Sequence, residues 1–189
     1  MENKTPQFNT NEQFLEKQKL WDAKKAEVES WADGLGRGIE ANIKDTVIAL
    51  NLLGYPTLES CEGHKQEDSD HDCYPWVTFE VRKLPQFKDG DYELTSEVLE
   101  KEKELMDKLQ SLIEEHNALT VNNVVRYGVR DPNNLKPVVV PEEYLSMTDP
   151  RSSQAKELDT KAKDVFLSLA REEMNHLTEF FKKKYFESK

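Results

Sequence analysis

The sequence predicts an α+β fold: a small, mostly antiparallel sheet of about three to four strands packed with about four helices, the last of them long. Three features predict it. Long segments repeat apolar residues at steps of three, four and seven. Short segments alternate apolar and polar residues. Glycine and proline separate the two kinds of segment.

Phe14, Trp21, Val28 and Leu35 fall seven apart, with Leu20 and Trp31 beside them. This stripe predicts an amphipathic helix over about residues 10–32, ended by Gly34, Gly36 and Gly38. Ile39, Ile43, Val47, Leu50 and Leu53 predict a second helix, which Gly54 stops and Pro56 keeps from resuming. Thr57 to Cys61 is expected to be extended and to lead into a polar loop from Glu62 to Tyr74. Val77, Phe79 and Val81 alternate with Trp76, Thr78, Glu80 and Arg82, predicting a strand from Trp76 to Arg82. A turn-rich connection follows, with Pro85 and Asp89-Gly90.

Thr95 or Ser96 can cap a third helix, whose first turns carry Glu97 and Glu100 at the end that favours acid. Its stripe is Val98, Leu105, Leu109 and Leu112, flanked by Leu99, Met106 and Ile113. Val121, Val125, Tyr127 and Val129 alternate with Val124, Arg126, Gly128 and Arg130, a second strand. The turn Asp131-Pro132-Asn133-Asn134 joins it to a third, Lys136 to Val140, as a hairpin. Beyond Pro141 and Pro150, a helix over about 152–185 buries Leu158, Ala162, Val165, Phe166, Leu169, Leu177, Phe180 and Phe181.

At 189 residues the chain fits a single domain, 1–189, with residues 1–10 expected to be flexible. It has neither an internal repeat nor a low-complexity linker. The net charge of −11 repels phosphate backbones and argues against a nucleic-acid partner. The basic run Lys182-Lys183-Lys184 reads as the solvated, dipole-complementing end of the last helix. Residues 1–12 lack the apolar core of a secretory signal, and no apolar run nears the ~20 residues that span a bilayer. Together with Cys61 and Cys73 as thiols or metal ligands, this predicts an acidic protein of the reducing cytoplasm with no membrane partner.

Chemistry concentrates in Thr57-Leu58-Glu59-Ser60-Cys61-Glu62-Gly63-His64. Gly63 permits a sharp turn, across which the Cys61 thiol and the His64 imidazole can approach. Three readings compete. In the first, Cys61, His64, His71 and Cys73 form C-x2-H-x6-H-x-C, four ligand types that zinc accepts, within a zinc-stabilised interaction module. In the second, the turn is a catalytic or ligand-binding pocket with Cys61 as nucleophile, His64 as base and Glu62 as its orienter. In the third, Cys61 is a core residue, Gly63 a turn residue and His64 a loop-fixing donor, in a helical scaffold that binds a partner without a chemical site.

The pocket reading extends to Thr57, Ser60 and Gly63 and to a floor formed by the strand from Trp76. If the first and second alternating strands are neighbours, Arg82, Arg126 and Arg130 line one polar face with Glu80, suited to a small anionic ligand. A solvated sheet face with cross-strand ion pairs explains the same residues. His116 is expected to meet the terminal carbonyls of its helix, and His176 to lie on a helix flank. Glu173 and His176 carry the three-residue spacing of di-iron bundles, but the motif occurs once where such sites need two.

Gly38-Ile39, Leu50-Asn51-Leu52-Leu53-Gly54-Tyr55-Pro56-Thr57, Ser60-Cys61-Glu62-Gly63-His64 and Pro75-Trp76-Val77 resemble a family of uncharacterised small bacterial proteins, chiefly of candidate-phylum (Patescibacteria-type) genomes. The stretch from Glu172 to Phe181 is similar to that family's final helix. The resemblance implies no activity, and His71-Asp72-Cys73 falls outside its pattern. More remotely, a helix followed by Thr-x-x-Ser-Cys-x-Gly is similar to wyosine-pathway tRNA methyltransferases, in which a Ser-Cys-Ser-Gly-Arg turn precedes a strand. This chain has Glu62 and His64 where they have serine and arginine.

Overall fold

The computed structural model describes residues 10–32, 36–64, 74–79, 96–120, 125–130, 138–141 and 160–188. Its helices are α1 (Thr10–Glu29), α2 (Ala41–Leu52), α3 (Ser96–Leu119) and α4 (Thr160–Glu187). Its strands are β1 (Thr57–Cys61), β2 (Trp76–Phe79), β3 (Tyr127–Arg130) and β4 (Val138–Pro141). They form one sheet in the order β1-β2-β4-β3, every pairing antiparallel. The class is therefore α+β with a long C-terminal helix. None of the described helices is long and apolar enough to cross a membrane.

α2 is the central helix, packed against α1, α4 and β1. Ile43, Val47, Ile48 and Leu50 are all but fully buried, so the helix is apolar around most of its girth. Its end turns the chain directly into the sheet. Gly54 adopts φ 92°, and its N–H bonds to the Asn51 carbonyl while that of Tyr55 bonds to Leu50, a Schellman closure. Asn51 then ties the helix to β1 by donating to the Val47 carbonyl and the Thr57 hydroxyl, both at 2.8 Å.

The sheet order corrects one expectation. β4 lies between β2 and β3, with Val77 opposite Val139, so the two strands expected to share an arginine face are not neighbours. Both hairpin strands are mostly buried along their described lengths, so burial pattern alone does not select which of them meets β2. The Arg130 side chain, Glu80, Val81 and Arg82 lie outside the described residues. Thr78 is buried in β2, which is paired on both edges. Its hydroxyl accepts the Glu59 N–H at 3.1 Å across the bulge at Leu58.

α1 ends at Glu29, short of the expected residue 32. Trp21 and Val28 are buried, but Phe14 and Leu20 are each 52% exposed. The stripe is covered only where α2 and the end of α4 lie over it; Phe14 still meets Phe186 with ring centroids 5.3 Å apart. In α4 the buried line is Leu167, Ala170, Met174, Leu177, Phe181 and Tyr185, which leaves Val165 53% exposed rather than in the core. Leu35, Val121, Val124, the 131–134 turn, Lys136 and Leu158 lie outside the described residues, as do the side chains of Val98 and Leu99.

His116 does not meet helix-end carbonyls through its ring. Its Nε2 is 2.7 Å from Glu173 Oε1 in a buried pair between α3 and α4, and its own carbonyl is capped by the Thr120 hydroxyl at 2.9 Å. The basic run is also more than a solvated end. Lys184 reaches Glu115 of α3 at 2.6 Å, and Lys182 lies 3.8 Å from Asp45 of α2 and over the Trp21 ring.

The last turn of α4 is closed from α1. Lys17 Nζ donates to the Tyr185 carbonyl at 2.6 Å and to the Ser188 hydroxyl at 2.8 Å, and the Tyr185 hydroxyl returns a bond to the Lys17 carbonyl at 3.1 Å. A cation at orphan carbonyls satisfies both their hydrogen bonds and the negative end of the helix dipole. Lys17→Met keeps the aliphatic stem and is expected to cost about 1 kcal/mol in urea-unfolding free energy. An unchanged value would show that the carbonyls are equally well served by water.

Candidate metal centre

The turn Cys61-Glu62-Gly63-His64 leaves the end of β1 and is held from two helices. Gly63 is buried with φ 83°, a conformation that would strain any residue with a Cβ, and its N–H donates to Cys61 Sγ at 3.3 Å. That bond bends the chain back over its own thiol and brings the side chain three residues on, His64, beside it. The C-x2-H spacing thus acquires a local geometric cause.

The second hold comes from α2. Glu40 occupies the N-cap position of α2 but makes no capping bond of its own. One of its carboxylate oxygens accepts the Glu62 N–H at 2.6 Å, and the other meets His64 Nε2. Glu62 reciprocates, its carboxylate accepting the Asn42 N–H at 3.0 Å in the first turn of α2. An acid there satisfies an orphan donor and faces the positive end of the helix. The third hold is Arg171 of α4, which donates through Nε to the Glu62 carbonyl at 3.2 Å and through its terminal nitrogen to the Gly63 carbonyl.

The outcome is a compact cluster. One ligand atom each from Glu40, Cys61 and His64 lies within 4.8 Å of the other two. Cys61 is 8% exposed, whereas the His64 and Glu40 side chains are 31% and 33% exposed. The thiol therefore sits at the bottom and the two other groups at the mouth.

No protein-family model, curated protein or solved structure matches this chain.

Glu40 also lines a cavity of about 380 Å³ between the α1–α2 connection and β1. Trp31, Ile39 and Leu58 form its apolar side; Arg37, Thr57, Glu59 and Ser60 are among its polar groups. Thr57 and Ser60 thus lie beside the cluster rather than in it. Trp76 pairs with Cys61 across β1 and β2, so the strand start does border the turn. Arg126 is exposed ahead of the far edge strand, and Glu80, Arg82 and the Arg130 side chain lie outside the described residues. His71 and Cys73 also lie outside the described residues.

Glu62 corrects the sequence reading: its carboxylate caps α2, and the group on His64 is Glu40. Glu40 and Arg171 were both missed. Each left a trace in the sequence. Helix N-caps favour Ser, Thr, Asp and Asn, so a glutamate at that position signals another task. Arg171 stands within the apolar line of α4, beside Ala170 and one turn before Met174, where a cation needs a partner.

Proposed function

We propose that this chain binds a zinc-class divalent cation through Cys61, His64 and Glu40, with the adjoining cavity taking a small ligand beside it. The observation that carries the reading is the mutual approach of a thiol, an imidazole and a carboxylate to within 4.8 Å. Tetrahedral zinc with bonds of ~2.0–2.3 Å places its ligands roughly 3.3–3.8 Å apart, so binding requires the His64–Glu40 hydrogen bond to open and the three ligand atoms to settle around the ion. The half-open His64 and Glu40 side chains can do so by rotation.

Burial favours a metal ligand over a nucleophile. A thiol that attacks a substrate must be reached by it, and Cys61 is 8% exposed beneath two other side chains. A metal ligand needs only to face its partners. The surrounding bonds favour the same reading, because outer partners that fix ligand orientation are a regular feature of metal sites. The Glu62 N–H on Glu40 and the Gly63 N–H on Cys61 have that relation to two of the three ligands, and Arg171 braces the peptide group that joins those two N–H groups.

Three protein ligands leave one position of a tetrahedron for water, a small anion or a further side chain. Of the residues picked out by spacing, His71 and Cys73 are the candidates for that side chain, and the variants His71→Ala and Cys73→Ala sort these cases. The cavity supports a small-molecule role because Glu40 belongs to both.

Elemental analysis of the purified full chain after zinc exposure and desalting is expected to find about one zinc per chain. Cys61→Ala and His64→Ala should each lower it to background. A wild-type chain that retains none would sink the reading, and the buried turn would then be a structural corner alone.

A further inference from the structure

Resting on the metal reading, we propose that Arg171 is a positioning and charge-tuning residue for the Cys61 thiolate, acting through the peptide group between Glu62 and Gly63. The chain of contacts is continuous. Arg171 Nε donates to the Glu62 carbonyl at 3.2 Å, and the N–H of that same peptide group, on Gly63, donates to Cys61 Sγ at 3.3 Å. The guanidinium also grips the next carbonyl, that of Gly63. A cation at the oxygen end of an amide pulls electron density towards it and makes the N–H a stronger donor. Hydrogen bonds arranged in series reinforce one another in this way, and charged donors do so most.

The effect falls on the sulfur because the geometry offers it nowhere else to go. Gly63 is buried, so its N–H has no water to share with. A metal-bound thiolate stabilised by such a bond gives less charge to its metal, which is how hydrogen bonds around sulfur tune metal centres. Arg171 is 108 and 109 residues away from Gly63 and Glu62, so α4 contributes to the centre although none of its side chains is a ligand. A purely mechanical role, in which Arg171 only pins the loop, predicts a change in affinity and none in the electronic state of the sulfur.

Cobalt(II) reads both quantities, since thiolate-to-cobalt charge transfer absorbs in the near ultraviolet. Full-length wild type, Arg171→Gln and Arg171→Lys are titrated with cobalt and then displaced with zinc, after circular dichroism has verified the fold. Arg171→Gln is expected to weaken metal binding about tenfold or more, in the range seen for outer partners, and to move the charge-transfer band to lower energy. Arg171→Lys, which keeps the charge, should hold the band near the wild-type position even where affinity drops. A band that Arg171→Gln leaves in place overturns the proposal while the metal reading stands. A wild-type chain with no thiolate band at all removes the metal reading and the proposal with it.

Discussion

Glu173→Ala is expected to lower the free energy of unfolding by about 3 kcal/mol or more, measured by urea denaturation, and His116→Ala to cost nearly as much. Both side chains are 5% exposed, and the two meet at 2.7 Å between α3 and α4. Deleting either one strands the other in a site without water, and the lost desolvation is larger than the net worth of the bond. The surroundings leave little room for rescue. Phe180 covers the His116 ring at 5.3 Å between centroids, and the second Glu173 oxygen lies 3.4 Å from His176 Nδ1, on a ring that is 54% exposed.

The companion result is what makes the claim specific. Replacing both partners together with apolar residues of similar volume, His116→Leu with Glu173→Met, should recover most of the loss, because no polar group is then left unpaired. A single substitution that costs below about 1 kcal/mol would mean that water reaches the pair. The pair also explains why α3, which otherwise packs on β3, stays registered against α4: this contact and Lys184–Glu115 are the polar links between them among the described residues.

Local physics made the fold legible, and distance hid the site. α2 was readable because its stripe, Gly54 and Pro56 all act within a few residues, and the hairpin because its strands alternate around a turn. The order β1-β2-β4-β3 was not, since which strand of a hairpin meets a third is settled by packing between distant segments. Thr78 belongs to the same limit: it is buried in an interior strand, a place that its own sequence context does not encode. At the site, Cys61 and His64 were legible as a pair because one glycine turn joins them. Glu40 and Arg171 act on that turn from 24 and 108 residues away, as an N-cap without a cap and a cation in an apolar line.

Zinc at roughly a thousand times its Kd is expected to raise the unfolding free energy of the wild-type chain by about 4 kcal/mol, and its melting temperature by roughly 10 °C for a chain of this size. A chelator should reverse both. The gain arises because the unfolded chain holds Glu40 and His64 24 residues apart, with Cys61 between them, and the fold alone gathers all three. Glu40 therefore matters differently from the other two. Cys61 and His64 remain close along the unfolded chain and bind some metal there, which subtracts from the gain. Glu40→Gln removes the ligand that only folding supplies, so it should cut the zinc-dependent rise sharply while leaving weak uptake by the local pair. Cys61→Ala should abolish both. A zinc-dependent rise of equal size in wild type and Cys61→Ala, followed by calorimetry, would place the metal elsewhere on this acidic surface and separate the turn from the stabilisation.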